Sequence, residues 1–223
     1  VAKPLDGMGR FEGLIAKIGA IVKSDEIDIS KKTGVIMCAD NGIVEEGISQ
    51  SKQEVTIAVT EMMGKGLASV CRMAKTIGAD TIPVDIGLNF DRQLSGILSK
   101  KVRCGTRNFH KEPAMTEQEV IRAIAVGIEM VAYCKEAGYK IIATGEAGIG
   151  NTTTSSAVAS ALLQCEPSEV TGRGAGLSDV GLLHKQQIIE NAILKYDLYN
   201  AEPLTILQTV GGLDIAGLAG ICI

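Results

Sequence analysis

Short apolar runs alternate in this chain with longer segments in which apolar residues recur every three to four positions. The runs are Gly34–Ala39, Thr81–Gly87 and Tyr139–Thr144, and each ends at or next to glycine or polar residues. Such runs predict buried strands, and the spacing between them predicts helices. Strand and helix in alternation predict an α/β fold, in which helices cover both faces of a parallel sheet. Pro83 weakens the second run as a central strand.

Two helical segments have an apolar face that we expect to pack against the sheet. The first begins at Glu54, and the second surrounds Ile124. Their predicted faces consist of Val55, Met62, Met63, Leu67, Val70 and Met73, and of Val120, Ile121, Ile124, Ile128 and Val131.

The stretch Leu204–Ile223 is apolar enough to be compared with a membrane span. Asp214 near its middle would cost about 2.5–3.5 kcal/mol in a bilayer, and Gly211 and Gly212 interrupt it. We interpret it as a buried helix and expect no membrane partner. Asp214 also suits the N-terminal turn of a helix.

Composition narrows the function classes. The chain is 46% hydrophobic and 22% charged, which is typical of a folded domain. A net charge of -4, 3% aromatic residues and no tryptophan argue against nucleic acid as a partner. Six widely spaced cysteines and two histidines form no metal-binding motif, and they predict reduced thiols in a cytoplasmic protein.

The segment 145–156, GEAGIGNTTTSS, resembles a P-loop with Asn151 in place of the lysine. Glycines before a helix N-terminus favour binding of phosphate or carboxylate, although such turns are also common architecture. Asn151 argues against a triphosphate site, because asparagine lacks the lysine's charge and reach. Glu146 in this loop is either a solvated residue or a group that accepts a proton from a substrate.

A second glycine-rich segment, GRGAGL at 172–177, precedes a predicted helix over Asp179–Leu194. Together the two loops could bind a phosphorylated ribose, with Lys185 as the cation that Asn151 is not. The alternative is that Lys185 is an ordinary surface lysine. Polar loops at 40–42, 49–56 and 105–109 follow the first two strands or lie nearby, and Arg107 in the last could bind a carboxylate.

The order of the motifs is more specific than any one of them. AKPLDGMGRFE, ADNGIVEEGISQSKQEVT, VDIGL, GTRNF, GEAGIGNTTTSSAVASALL, GRGAGL before HKQQII, and GGLDIAGLAG together resemble the nicotinate-nucleotide–dimethylbenzimidazole phosphoribosyltransferase family. The resemblance implies transfer of phosphoribose from nicotinate mononucleotide to 5,6-dimethylbenzimidazole or a related azole, without a cofactor. It also implies a homodimer and a Rossmann-like domain over residues 31–223, with residues 1–30 as the N-terminal part of a smaller helical subdomain.

The resemblance also assigns site residues. Glu146 matches an acid beside the base and ribose, Lys185 a phosphate-side lysine, and Asp214 an acid in the site wall. Asp40 and Gln53 lie in segments that match the benzimidazole side. The residues that match regions holding nicotinate nucleotide are Gly148, Gly150, Asn151, Thr152, Gly174 and Gly176.

The sequence departs from the family in two places. Asn41 stands where the family usually has histidine, and the family's general-base glutamate lies in a segment beyond the position of Ile223. We therefore expect the 223-residue chain by itself to be inactive or severely impaired in product formation. A binder of nicotinate nucleotide or benzimidazole without turnover is the alternative function. A P-loop NTPase is a third class, against which Asn151 argues.

Overall fold

The computed structural model describes residue 4 and residues 7–223, so most of AKPLD in the first motif lies outside the described residues. The sheet consists of β1 (Lys32–Ala39), β2 (Ala79–Gly87), β3 (Leu98–Ser99) and β4 (Ile141–Ala147), in the order β3-β2-β1-β4. Every neighbouring pair is parallel. All three predicted strands are present, but the predicted burial is wrong for β4, an edge strand in which no residue is buried.

Helices precede the first strand, separate β1 from β2 and β3 from β4, and follow the last strand. They are α1 (Arg10–Val22), α2 (Glu54–Gly64), α3 (Ser69–Thr76), α4 (Glu117–Glu136), α5 (Asn151–Leu163), α6 (Pro167–Val170), α7 (Asp179–Lys195), α8 (Pro203–Val210) and α9 (Leu213–Cys222).

The core lies on both faces of the sheet. On one face, Val35 and Met37 of β1 pack in a cluster with buried residues of α4, α5, α7, α8 and α9. On the other face, Ile36 and Cys38 pack with Met63 of α2 and Cys71 of α3. Alternate residues of one strand thus serve opposite layers, which confirms the α/β class with helices on both faces.

Pro83 is accommodated because β2 is only partly flanked. β1 pairs along the whole of β2, whereas β3 pairs only with Val84 and Asp85. Pro83 therefore has a strand partner on one side alone, so the proline interrupts no ladder with β3.

The predicted face of α4 is right at Val120 and Ile124, which pack in the core, and wrong at Ile121 and Ile128. Ile121 and Ile128 are about half exposed, and the buried face consists of Val120, Ala123, Val126, Gly127, Met130 and Cys134. Gly127 explains the difference, because a Cβ there would lie 2.1 Å from the carbonyl oxygen of Gly217 in α9. The backbones of α4 and α9 meet at this glycine, and the pattern of large apolar residues does not reveal it.

The single helix predicted after Glu54 is also wrong, because the chain divides into α2 and α3. Gly66 between them has φ 68°, a left-handed conformation that ends the first helix. Of the predicted apolar face only Met63 is buried, while Val55, Met62, Leu67, Val70 and Met73 are exposed.

The apolar C-terminal stretch likewise forms two helices, α8 and α9, separated at Gly211 and Gly212. Asp214 lies in the first turn of α9, as its preference for helix N-termini suggested. No helix among residues 7–223 is long and apolar enough to cross a bilayer.

No residue of α1 is buried, and Phe11, Leu14 and Ile21 are among its exposed apolar side chains. The division at residue 30 stays a prediction, since its first residues are outside the described part. All six cysteines are free thiols, of which Cys38, Cys71 and Cys134 are buried.

Candidate functional site

The polar loops predicted from the sequence meet at the carboxyl ends of the strands. Asp40 directly follows β1, Asn89 follows β2 by two residues, and Glu146 is the penultimate residue of β4. Ligands of open parallel sheets bind at this edge, where the strand order reverses around the central strand. The candidate site is therefore built from the ends of β1, β2 and β4.

Two glycines bring the loop after β4 against the end of β1. A Cβ on Gly148 would lie 1.8 Å from the carbonyl oxygen of Ala39. A Cβ on Gly150, which has φ 93°, would lie 3.1 Å from Cβ of Asn41. Because no larger residue fits, the glycines predicted to allow close backbone approach do so, but the backbone approached is the protein's own.

Glu146 is half-buried and is held by its own loop. Its Oε2 accepts a hydrogen bond from Nδ2 of Asn151. Oδ1 of Asn151 in turn accepts a bond of 2.7 Å from the backbone N–H of Thr152. The asparagine that replaces the P-loop lysine therefore orients a carboxylate and accepts from one N–H in the first turn of α5.

The N–H groups at the start of α5 bond within the protein, although glycines before a helix N-terminus favour an anion there. The N–H of Asn151 donates to Gly148 O at 3.2 Å, and the N–H of Thr153 donates to Gly150 O at 2.9 Å. Together with the bond from Thr152 to Asn151, these contacts satisfy the first-turn donors internally. A phosphate in this loop would therefore be bound by the cationic and hydroxyl side chains around it, and not by these N–H groups.

Lys185 is the cation at this point, and it is not a surface residue. It is fully buried, and its Nζ donates to Oγ1 of Thr152 at 2.8 Å and to Gly172 O at 3.3 Å. No carboxylate pairs with it among the described residues, and burial lowers its pKa to about 8. The structure therefore joins the two glycine-rich loops through one lysine of α7.

A narrow cleft of about 50 Å³ separates the two loops. Gly150, Asn151 and Thr152 line one side, and Gly174 lies on the other. Gly174 has φ 55°, and a Cβ there would lie 3.0 Å from Oγ1 of Thr152. Gly176, with φ 107°, shapes the bend of the loop but is not among the residues lining the cleft.

Arg173 also lines the cleft and was missed by the sequence reasoning. Its guanidinium donates to Leu177 O at 2.9 Å and pairs with Asp179. The signal was present, since an arginine between two glycines of a predicted anion loop is a candidate for phosphate contact.

Asp214 is completely buried near Glu146, and its Oδ2 has no hydrogen-bond partner within the described residues. Burial and then the charge of Glu146 raise its pKa to about 7. Asn41 is also fully buried, and neither atom of its amide has a partner in this part of the chain. Both side chains flank Gly212, where a Cβ would lie 2.1 Å from Asp214 Oδ1 and 2.7 Å from Asn41 Oδ1. Unpartnered buried polar groups of this kind are typical of functional sites.

The other predicted residues lie on the β2 side. Asp40 is buried, which raises its pKa, and its Oδ2 accepts from the N–H of Asn89 at 2.8 Å. Gln53 donates from Nε2 to Asn41 O at 3.4 Å and accepts from Nδ2 of Asn89 at 3.5 Å. The structure thus brings Asp40 and Gln53 together through Asn89, a residue that the sequence reasoning did not single out.

Arg107, which was predicted to bind a carboxylate or a neighbouring acid, forms an ion pair with Glu119 of the protein. Its guanidinium binds Glu119 at 2.8 Å, and that contact helps to lower the pKa of the carboxyl to about 2. Within residues 7–223, no three His, Cys, Asp or Glu side chains are grouped to hold a metal ion.

Comparison with known proteins agrees with the family resemblance of the sequence motifs. All of residues 1–223 match the model of a family described as Phosphoribosyltransferase, DBI_PRT. The chain is 46% identical over 220 residues to the nicotinate-nucleotide–dimethylbenzimidazole phosphoribosyltransferase of Acetivibrio thermocellus, covering 99% of this chain and 63% of that protein. It is 40% identical over 221 residues to the protein of the same name from a Clostridium perfringens strain, covering 99% and 61%.

The fold also matches a solved structure. The crystal structure of CobT from Thermus thermophilus superposes with a TM-score of 0.93 at 32% identity, over 99% of this chain and 66% of that one. The chain therefore spans a little under two thirds of the length of the two curated relatives.

Proposed function

The chain belongs to this phosphoribosyltransferase family, and from that premise we propose that the complete protein transfers phosphoribose from nicotinate mononucleotide to 5,6-dimethylbenzimidazole or a related azole. The products are α-ribazole 5′-phosphate and nicotinate. The relatives named above carry the name of this activity.

The observation that carries the proposal is the position of Lys185. This buried lysine, without a carboxylate partner in the described part of the chain, touches both glycine-rich loops and borders a cleft lined by Thr152 and Gly174. Such a cation is costly to bury unless an anion neutralises it. A single phosphate of a mononucleotide provides that charge, and no triphosphate or Mg²⁺ is needed.

The chemistry requires positioning and one proton acceptor. One azole nitrogen attacks the anomeric carbon, and the bond from that carbon to the pyridinium nitrogen of nicotinate breaks. The electron pair stays on the pyridine nitrogen, so the leaving group needs no proton. The attacking azole acquires positive charge, which it loses when its other nitrogen gives up a proton to a carboxylate.

Glu146 is the carboxylate that we propose lies beside the base and ribose, oriented by Asn151. Asp214 lies within electrostatic range of Glu146 in the wall of the site. Alignment of the two substrates can lower the barrier by several kcal/mol, which is the main contribution of the fixed loops.

The test is a product assay on the complete protein expressed from its natural reading frame. Incubation with nicotinate mononucleotide and 5,6-dimethylbenzimidazole is expected to release nicotinate and α-ribazole 5′-phosphate in equal amounts, measured by liquid chromatography and mass spectrometry. Binding of nicotinate mononucleotide without product from any azole would instead support the binder without turnover.

Assembly as a homodimer in the cytoplasm is part of the same proposal. Exposed apolar residues along α2, Val55, Val59 and Met62, support a covered surface in an assembly. Light scattering of the complete protein checks the mass, and a monomer at micromolar concentration would contradict the dimer.

A further inference from the structure

A cavity of about 330 Å³ lies between the loops that follow β1 and β2. Gln53, Asn89 and Thr106 contribute to its wall, and Ser49 and Ser51 continue it on one side. Val44 is the one aliphatic side chain among the described residues that line it. For a cavity of a size that would admit a bicyclic base, this wall is unusually polar, because small-molecule sites are lined mainly by apolar side chains.

The cavity adjoins the cleft beside Lys185. Ser49 lines both spaces. Val44 of the cavity wall also touches Gly150 of the cleft, since a Cβ on that glycine would lie 3.0 Å from Cγ2 of Val44. A ligand with its phosphate in the cleft therefore has this cavity as the next space along the sheet edge.

The wall also carries the charged side chains of Glu45, Lys52 and Glu54, and Gln53 and Asn89 are the two amides in it that can bind a neutral polar group. The bond between Asn89 Nδ2 and Gln53 Oε1 is 3.5 Å long, at the outer limit for a hydrogen bond. Oδ1 of Asn89 has no hydrogen-bond partner in the described part of the chain. These amides can exchange their weak mutual bond for shorter bonds to a ligand.

The backbone of the loop that carries Asn89 is held by the side chains of Lys101, Asp85 and Asp40. Nζ of Lys101 donates to Leu88 O at 2.7 Å and to Phe90 O at 2.6 Å, and it pairs with Asp85 at 3.1 Å. Asp85 also accepts from the N–H of Leu88 at 2.9 Å. Asp40 holds the N–H of Asn89 itself. These contacts fix the backbone from which the side chain of Asn89 projects, and a fixed backbone lowers the cost of ordering that side chain around a ligand.

We propose that this cavity binds the distal ring of the azole and that Gln53 and Asn89 select a base with a hydrogen-bonding substituent on that ring, such as a hydroxyl, over a methyl-substituted base. The inference rests on the proposed phosphoribosyl transfer and names its acceptor class. A methyl group offers these amides no hydrogen bond, whereas a hydroxyl can both donate to and accept from them. Sites that hydrogen-bond a substrate group discriminate strongly against analogues that lack it.

The test compares 5-hydroxybenzimidazole with 5-methylbenzimidazole, which have nearly the same size. With the complete protein and saturating nicotinate mononucleotide, kcat/KM for the hydroxyl base is expected to exceed that for the methyl base by about tenfold. In the variants Gln53→Leu and Asn89→Leu this ratio is expected to fall toward one or invert, while KM for nicotinate mononucleotide stays unchanged.

Gln187→Leu is the matched control, because Gln187 is exposed on α7 away from the cavity, and it is expected to keep the wild-type ratio. If Gln53→Leu does not fold, as judged by its melting temperature, Gln53→Met replaces it. A wild-type ratio of one or below, or variants that keep the wild-type preference, would overturn the inference.

Failure of the proposed function has a different signature. If the protein forms no product from either base, calorimetric titration of both bases in the presence of nicotinate mononucleotide still measures the preference. Tighter binding of the hydroxyl base supports the cavity assignment, and equal binding, tighter binding of the methyl base or no binding of either overturns it.

Discussion

At the scale of single residues, Asn151 stands where a P-loop has its lysine. Bonding within the loop and supplying positive charge are therefore done by two different residues. Asn151 bonds to Glu146 and to the N–H of Thr152, which a lysine in that position could not do in the same way. The positive charge comes from Lys185, 34 positions further along the chain. The loop is therefore a carboxylate-positioning element, and its cation is supplied by another helix.

Lys185→Met is expected to weaken binding of nicotinate mononucleotide by about 10- to 100-fold, since a hydrogen bond to a charged group contributes about 1.5–3 kcal/mol. Methionine keeps most of the length of the buried stem and removes the charge together with the hydrogen bonds to Thr152 and Gly172. Calorimetric titration of the complete protein measures the affinity.

The control for this substitution is Lys135→Met on the exposed surface of α4, which is expected to bind as the wild type does. Unchanged affinity in Lys185→Met would contradict the assignment of Lys185 to the phosphate.

At the scale of elements, glycine contacts decide how the helices are placed. Gly127 in α4 lies against Gly217 and Gly220 in α9, and a Cβ on Gly220 would lie 2.0 Å from the carbonyl oxygen of Ile124. This close approach seats α9 against the sheet with Asp214 at its first turn, beside Glu146. The position of the buried acid thus depends on a helix contact remote from the loops.

Gly127→Ala is expected to destabilise the fold by about 1–3 kcal/mol through overpacking, although alanine is the better helix former. Gly13→Ala in α1 is the matched control, because no atom lies within 4 Å of a Cβ at that position. Urea unfolding measures both, and equal stability of the two variants would contradict the tight contact between α4 and α9.

At the scale of the whole molecule, the sheet edge collects ionisable groups that the fold keeps away from water. The pKa of Asp214 is raised to about 7, and that of Lys185 is lowered to about 8, in each case chiefly by burial. Neither group has an ion-pair partner among the described residues. Burial of ionisable groups without ion-pair partners costs stability, and binding of a phosphate or a base to the folded state adds stability.

The two groups predict opposite pH dependences of stability. Between about pH 4 and 7 the folded state holds a proton on Asp214 that the unfolded state has lost, so the free energy of unfolding falls as pH rises. Between about pH 8 and 10.5 the unfolded state holds a proton on Lys185 that the folded state has lost, so stability rises with pH. Each contribution is on the order of a few kcal/mol.

Urea unfolding across this pH range checks both slopes. Asp214→Asn is expected to flatten the acidic limb alone, and Lys185→Met the alkaline limb alone. A variant that leaves its own limb unchanged would contradict the burial of that group's charge.

Much of the fold followed from local patterns, while the faces of the helices did not. The runs that became β1, β2 and β4 are short, apolar and bounded by turns, and such runs have few other structures open to them. The faces of α2 and α4 were partly misassigned because large apolar residues were weighted over glycines. Met62 and Ile128 are exposed, whereas Gly127 lies in a contact that only the folded backbone reveals.

The sequence by itself determined the class of fold, the order of the motifs and the residue types of the site, because strand and helix periodicity and glycine-rich turns are local properties of the chain. Only the tertiary structure decided which groups meet. It buried Lys185 between two loops, placed Asp214 beside Glu146, and brought Asn89 next to Gln53. These contacts join residues 13 to 68 positions apart. Parallel strands and helix packing set such distances, and no local pattern encodes them.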